Sequence, residues 1–365
     1  MGMEIEKLQG LLKEDPSNFQ ARRELSVILA NNGFNEEALS NMLYLKKYFP
    51  DDSDLLYNIG IIYEKIKDFK SAEESYEEAI KISPQADFYY NAAEVLMNLE
   101  EWDKAIEYFK EVLKTDPNDE NCYFNLGVCY KNKDEINLAT DNLQMAVKLN
   151  PKDIYAQFYL GNLYQNNGLT NFASECYKKV LEISPDYSWA YYNLASIAYK
   201  NDNLDEAKNY LIKTIEYNNQ DIDAYKLLAK ICMKNNETDE IISILNTRLS
   251  DENNGDLYYV LAQINRTIGD LTEYIKNLKL AIKNSLTLSF DIQKIKDELD
   301  YAMHENQLEP EEFEEYDADE NNDIEYDDNE NNEEEFEEND DLSLDENESE
   351  EDISDELEEY EEEDL

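Results

Sequence analysis

Histidine is nearly absent, with one residue, His304, in a chain of 365. Chemistry that uses an imidazole as a base, or in a triad, therefore has almost nothing to work with. Glycine is also scarce: nine residues, scattered, with no glycine-rich phosphate loop among them. The four cysteines, Cys122, Cys129, Cys176 and Cys232, show no CxxC spacing and no Cys/His cluster. They are expected to be free thiols of a reducing cytoplasm, and no metal site is expected. No run of 18 or more apolar residues occurs, so no membrane span is expected. The opening stretch, MGMEIEKLQGLLKEDP, has acids inside its apolar residues and no cleavage region, so it is not read as a signal peptide. Residue 6 is not the Ser or Thr of a myristoylation signal. Together these absences predict a chain that is not an enzyme and carries no cofactor. A regulatory or targeting subunit of another enzyme stays open.

Positive charge is short as well, with 32 Lys and Arg against 86 Asp and Glu and a net charge of −54. That excess argues against nucleic acid and against an anionic membrane surface, both of which need clustered Lys and Arg. It favours attraction to basic partners. The acid is unevenly spread. Residues 309–365 hold 34 acids and no Lys or Arg; the remainder holds 52 acids against 32 bases, net −20. Residues 309–365 cannot bury enough apolar surface to offset the entropy of ordering, and are expected to be a disordered acidic tail.

Proline is the scarce residue whose positions carry information. Six of the seven lie at 16, 50, 84, 117, 151 and 185, spaced by 34, 34, 33, 34 and 34 residues, and Asn219 falls where the next would be. With proline as the 32nd place of a 34-residue frame, the eighth place reads Ser26, Gly60, Ala93, Gly127, Gly161, Ala195 and Ala229. The twentieth reads Ala38, Ala72, Ala105, Ala139, Ala173, Ala207 and Ile241, and the twenty-fourth Met42, Tyr76, Phe109, Leu143, Tyr177, Leu211 and Leu245. A weaker eighth unit has Tyr258, Leu261, Ala262, Leu278 and Ala281 in matching places. Apolar residues recur at three and four within each half, which predicts two helices per unit. Small residues let the two backbones approach, large ones fill the space beside them, and proline stops the second helix.

This pattern resembles the tetratricopeptide-repeat family over roughly residues 19–287, most closely over 53–216. The fit is weaker in the first, seventh and eighth units, where Ser26, Ile241 and Tyr274 replace the usual small residue. The resemblance implies an all-α, right-handed superhelical solenoid of about eight helix-turn-helix units with end caps. Its concave groove would be lined by the first helices. Residues 1–18 are expected to hold an N-terminal capping helix and 288–308 a C-terminal one, with Leu288, Ile292, Ile295, Leu299 and Met303 on one face.

In that frame the sixth place reads Asn58, Asn91, Asn125, Tyr159 and Asn193. Asn is a poor mid-helix residue, costing roughly half a kcal/mol against Ala, so a use for it is expected. Some family members hold the backbone of an extended peptide with Asn at this place, and the amide's donors and acceptor suit that task. The alternative is that these Asn satisfy one another or neighbouring loops. The fifth place carries rings: Tyr57, Tyr90, Phe124, Phe158, Tyr192 and Tyr259. They are either a platform for ligand side chains or packing between repeats. The Lys-and-Asn clamp that some members use for acidic chaperone tails is incomplete, with Tyr57, Tyr90, Phe124, Asp87 and Asn121 at its positions. The C-terminal end of the groove gains charge from Lys131, Lys200, Lys226, Lys230, Lys234 and Arg266.

Three readings of function result. The first is a protein-interaction scaffold or adaptor that binds an extended or helical segment of an unidentified partner in the groove. The second is an acidic chaperone or decoy for basic proteins, acting through residues 309–365, which carry spaced apolar residues such as Phe313, Tyr316 and Leu342. The third is self-association along the solenoid. DADENNDIEYDD, residues 317–328, partly resembles a calcium loop, but Asn322 and Asp328 stand where Gly and a bidentate Glu are wanted.

Overall fold

The computed structural model describes residues 2–305, most of them in eighteen α-helices, with no strand among these residues. A leading helix, α1 (Gly2–Glu14), precedes eight helix pairs. These are α2 (Phe19–Asn31) with α3 (Asn35–Lys46), α4 (Ser53–Lys65) with α5 (Phe69–Ile82), α6 (Ala86–Asn98) with α7 (Trp102–Thr115), and α8 (Glu120–Asn132) with α9 (Ile136–Leu149). They continue as α10 (Ile154–Asn166) with α11 (Thr170–Ile183), α12 (Ser188–Lys200) with α13 (Leu204–Tyr217), α14 (Ile222–Lys234) with α15 (Thr238–Asp251), and α16 (Gly255–Ile268) with α17 (Leu271–Lys283). A 3-10 turn, Ser285–Thr287, leads to α18 (Ile292–Glu305). The acidic segment 309–365, with its calcium-loop look-alike, lies outside the described residues.

Local chemistry starts and stops each pair. Six first helices open on an Asx residue, Asn18, Asp52, Asp119, Asp153, Asp221 or Asn254, whose side-chain oxygen accepts a backbone N–H of the first turn. Each pair's turn then places its fifteenth frame residue in the left-handed region: Gly33, Lys67, Glu100, Asp134, Gly168, Asp202, Asn236 and Gly269, with φ from 57° to 80°. The next N–H reaches back to the carbonyl five residues earlier, as in Asp68 to Tyr63 at 2.9 Å and Glu101 to Leu96 at 2.9 Å. Second helices end in extended residues such as Ser83, Asp116 and Ser184, each just before a proline, which disfavours helix in its predecessor. Where the proline is missing, buried Arg248 holds the loop instead: its Nε donates to the Asn219 carbonyl at 3.0 Å and its guanidinium to Gln220 Oε1 at 2.7 Å.

Small-against-large packing closes each pair. A Cβ built on Gly60 would lie 2.5 Å from Cε1 of Tyr76, one on Gly127 2.6 Å from Cγ of Leu143, and one on Gly161 2.7 Å from Cε1 of Tyr177. All seven twentieth-place residues are fully buried, Ile241 included. Ser26 is buried too, and satisfies its hydroxyl by donating to the Arg22 carbonyl at 2.7 Å. The ends are covered. Leu8, with Ile5 and Leu12, seats α1 on α2, and Ile295, Leu299, Ala302 and Met303 seat α18 on the eighth pair. The strap between α17 and α18 crosses the start of α16, where Asp256 accepts from the Ser289 N–H at 2.6 Å and Oγ at 2.7 Å.

Candidate functional site

Successive first helices are neighbours, and sixth-place Asn residues tie them together. Asn91 Nδ2 donates to the Tyr57 hydroxyl of the preceding pair at 2.9 Å, and Asn125 Nδ2 to the Tyr90 hydroxyl at 3.2 Å. Asn193 Nδ2 donates to Asn162 Oδ1 at 3.3 Å, whereas Asn58 Nδ2 turns back to the Asp54 carbonyl of its own helix at 2.6 Å. The four amides therefore occupy one face, half-buried, and in three of them a donor is used between repeats.

Fifth-place rings fill the seams of that face. Tyr57 stacks on Phe88 with centroids 4.5 Å apart, Tyr90 meets Phe109 edge-on at 5.6 Å, and Phe124 meets Tyr159 at 5.3 Å. Phe158 lies between Tyr177 at 5.7 Å and Tyr187 at 5.3 Å, and Tyr192 packs on the core around Ala195 and Leu211. All five are half-buried rather than projecting.

The basic end is partly committed to structure. Lys226 pairs with Asp256 at 3.0 Å, donates to Ser289 Oγ at 3.2 Å and lies 5.0 Å from the Phe290 ring centroid. Lys230 sits 5.6 Å from the Tyr199 ring, and Arg266 6.0 Å from that of Tyr274. Arg266 also edges a cleft of about 700 Å³ against α18, with Asp297, Glu298 and Tyr301. Glu298 is well supplied there, accepting from Tyr259 at 2.9 Å, Gln263 at 2.8 Å and Tyr274 at 3.2 Å.

The electrostatics change along the face. In the second and third pairs carboxylates surround the tyrosines. Burial raises the Tyr57 hydroxyl above its ordinary range, and Asp87 and Glu64 push it further the same way. Burial also raises Glu94, and Glu64 adds to the effect, against hydrogen bonds from Tyr90 and Asn125. In the fifth and sixth pairs the second place, which sequence reasoning passed over, becomes aromatic: Tyr155 is 63% exposed and Trp189 57%. Its signal was present in the frame, where Asp54, Asp87, Asn121, Tyr155, Trp189 and Asp223 form one column, all exposed.

Family models described as tetratricopeptide repeat match residues 53–85, 86–119, 120–153, 155–187 and 173–231. Together with the eight pairs, they place the chain in the tetratricopeptide-repeat family. Among curated proteins it is similar to anaphase-promoting complex subunit 3 of Schizosaccharomyces pombe, 29% identical over 111 residues, 30% of this chain and 17% of that one. It is also similar to ER membrane protein complex subunit 2-A of Xenopus laevis, 28% identical over 120 residues, 32% of this chain and 40% of that one. The matched stretch thus spans less than half of either relative. The C-terminal part of a TPR repeat-containing protein from Cytophaga hutchinsonii superposes with a TM-score of 0.52 at 18% identity, covering 76% of this chain and 98% of that one. No helix among the described residues is long and apolar enough to cross a membrane.

Proposed function

We propose that this chain is a non-catalytic scaffold that holds an extended or helical segment of a protein partner along the face of its first helices. The observation that carries it is the column of exposed second-place residues beside the half-buried Asn and aromatic rows. Asn91 and Asn125 each use a donor on a tyrosine, and Asn125 also donates to Glu94, which leaves the amide oxygen as an acceptor for a peptide N–H. Two relatives carry names of multi-subunit complexes, which supports a role in assembly. The four buried thiols suit a reducing compartment, and we take the cytoplasm as its place.

The test is affinity capture from native extract with cross-linking, using three baits: the whole chain, residues 1–308, and the whole chain with Asn58, Asn91, Asn125 and Asn193 changed to Ala. A partner that cross-links to the first helices, survives loss of 309–365 and is lost with the Asn changes supports the scaffold. Thermal melts of the last bait must match wild type, because three of these amides also link repeats. The charge of −34 in residues 309–365 favours the second reading, a chaperone or decoy for basic proteins. Basic partners lost with that segment and in high salt would put it first.

A further inference from the structure

The second-place column is not uniform. It runs Gln20, Asp54, Asp87, Asn121, Tyr155, Trp189, Asp223 and Asp256, and only Asp256 is covered, by the strap to α18. Tyr155 and Trp189 expose more than half their surface, while the fifth-place rings beside them are tucked into the seams. Burial leaves Tyr187 raised above its ordinary range, and Tyr155 and Tyr159 contribute to that shift, so these rings share one neighbourhood. Trp189 follows two residues after Tyr187, on the first turn of α12. Large rings in water on an interaction face are where binding anchors concentrate.

The other half of the column is acidic. Asp54 and Asp87 are exposed, and Glu64 and Glu94 stand half-buried on the same first helices. None of the four forms an ion pair among the described residues, although eighteen such pairs occur elsewhere among them, Lys104 with Glu73 and Lys208 with Glu237 included. Carboxylates without a cationic partner, on the same face as an aromatic surface, call for a cationic ligand with an apolar part.

We propose that the first-helix face takes an extended basic segment, with one apolar side chain seated on Tyr155 and Trp189 and Lys or Arg side chains against Asp54, Glu64, Asp87 and Glu94. This rests on the reading of the face as a peptide holder and specifies the peptide's chemistry. Neighbouring helices lie about 10 Å apart. Three units separate the acids from the rings, so the path is about 30 Å, or roughly nine extended residues at about 3.3 Å each. Anchor and basic cluster are therefore some nine positions apart in the ligand.

The probe is a fluorescein-labelled synthetic peptide with one Leu anchor and an Arg-Lys-Arg cluster nine positions away, made in both chain directions. Controls replace Leu by Ala, replace the basic residues by Glu, or shorten the spacing to four. Binding to the full chain is read by anisotropy at two salt concentrations, and by tryptophan emission in Trp102→Phe, which leaves Trp189 as reporter. The proposal expects the basic peptide to bind best in one direction, to alter Trp189 emission, and to lose at least about tenfold with Tyr155→Ala or Trp189→Ala. Asp54→Asn with Asp87→Asn should flatten the salt dependence. These residues are exposed, so the variants should fold. Binding that keeps its affinity in both aromatic variants lies elsewhere on the chain, residues 309–365 included, and overturns the proposal. A preference for the Glu peptide, with Trp189 responding, overturns the charge assignment but leaves the peptide-holding face intact. If no peptide moves Trp189 emission, both readings fall.

Discussion

Replacing Gly60 by Ala should change the sign of its effect according to the residue at position 76. Gly60 is in the middle of α4, where Ala is favoured over Gly by about 1 kcal/mol. A methyl there would lie 2.5, 2.6 and 2.9 Å from three ring atoms of Tyr76, which is fully buried and donates its hydroxyl to Glu64 at 2.9 Å. The ring cannot swing away without breaking that bond and the seam with Tyr57, 5.6 Å away. Overpacking of this kind costs about 1–3 kcal/mol. Gly60→Ala in the wild type should therefore lose up to about 2 kcal/mol net. In a Tyr76→Leu background the pair becomes Ala with Leu, the combination already used at Ala195 with Leu211 and Ala229 with Leu245. There the same substitution should gain about 1 kcal/mol. The cycle thus predicts a coupling of about 1–3 kcal/mol, whatever Tyr76→Leu costs alone. Urea unfolding followed by far-UV circular dichroism measures it, with the m-value checked because repeat arrays can unfold in parts. If Gly60→Ala has the same effect in both backgrounds within about 0.5 kcal/mol, close approach is not why glycine sits there.

The left-handed turn residues give a second prediction. Glu100→Gly should stabilise by about 0.5 kcal/mol, since φ of 58° costs an L residue about 1 kcal/mol and the looser unfolded chain returns part of it. Gly168→Ala, at φ of 73°, should lose about 1 kcal/mol in the same urea assay. Lys104→Met should cost about 1–2 kcal/mol at pH 7, because Glu73, whose side chain is 5% exposed, would keep only Lys70, 2.6 Å away, as a cationic partner. Burial pushes the Glu73 carboxyl up, but Lys104 and Lys70 outweigh it and hold it below its ordinary 4.5. Its stabilisation is present above pH 4.5 and is lost as pH falls through the lower folded value, so the two proteins should converge in acid. Finally, burial pushes the Cys176 and Cys232 thiols up to about 11 and that of Cys129 to about 12, and raises Cys122 as well. A thiol reagent at pH 8 should leave all four untouched in the folded chain and titrate four after unfolding. Rapid reaction of one would show that its helix opens.

What recurs in a repeat protein can be read from one chain, because the other copies serve as the comparison. The proline spacing and the pairing of Gly60 with Tyr76 or Ala93 with Phe109 repeat every 33 or 34 residues, so each copy supports the next. The left-handed turns recur as strictly in space, yet only three of the eight carry glycine. Lys67 and Glu100 hide the conformation because stabilisation by the rest of the pair outweighs the local cost. Arg248 is invisible for the opposite reason: it occurs once, where a proline is missing, and its partners Asn219 and Gln220 are 29 and 28 residues away. The Asn row lies between these cases. Its period was plain, but the partners of Asn91 and Asn125 are hydroxyls 34 and 35 residues back, and only the distance between first helices shows that Asn91 reaches Tyr57. One amide can then serve two purposes, joining repeats with one donor and meeting a peptide with the groups that remain. The positions that break the pattern are the ones that can set specificity. A clamp that repeats unchanged would hold any backbone, whereas Tyr155 and Trp189 interrupt a polar, mostly acidic column at one place and, in the proposed reading, would give a bound segment a register.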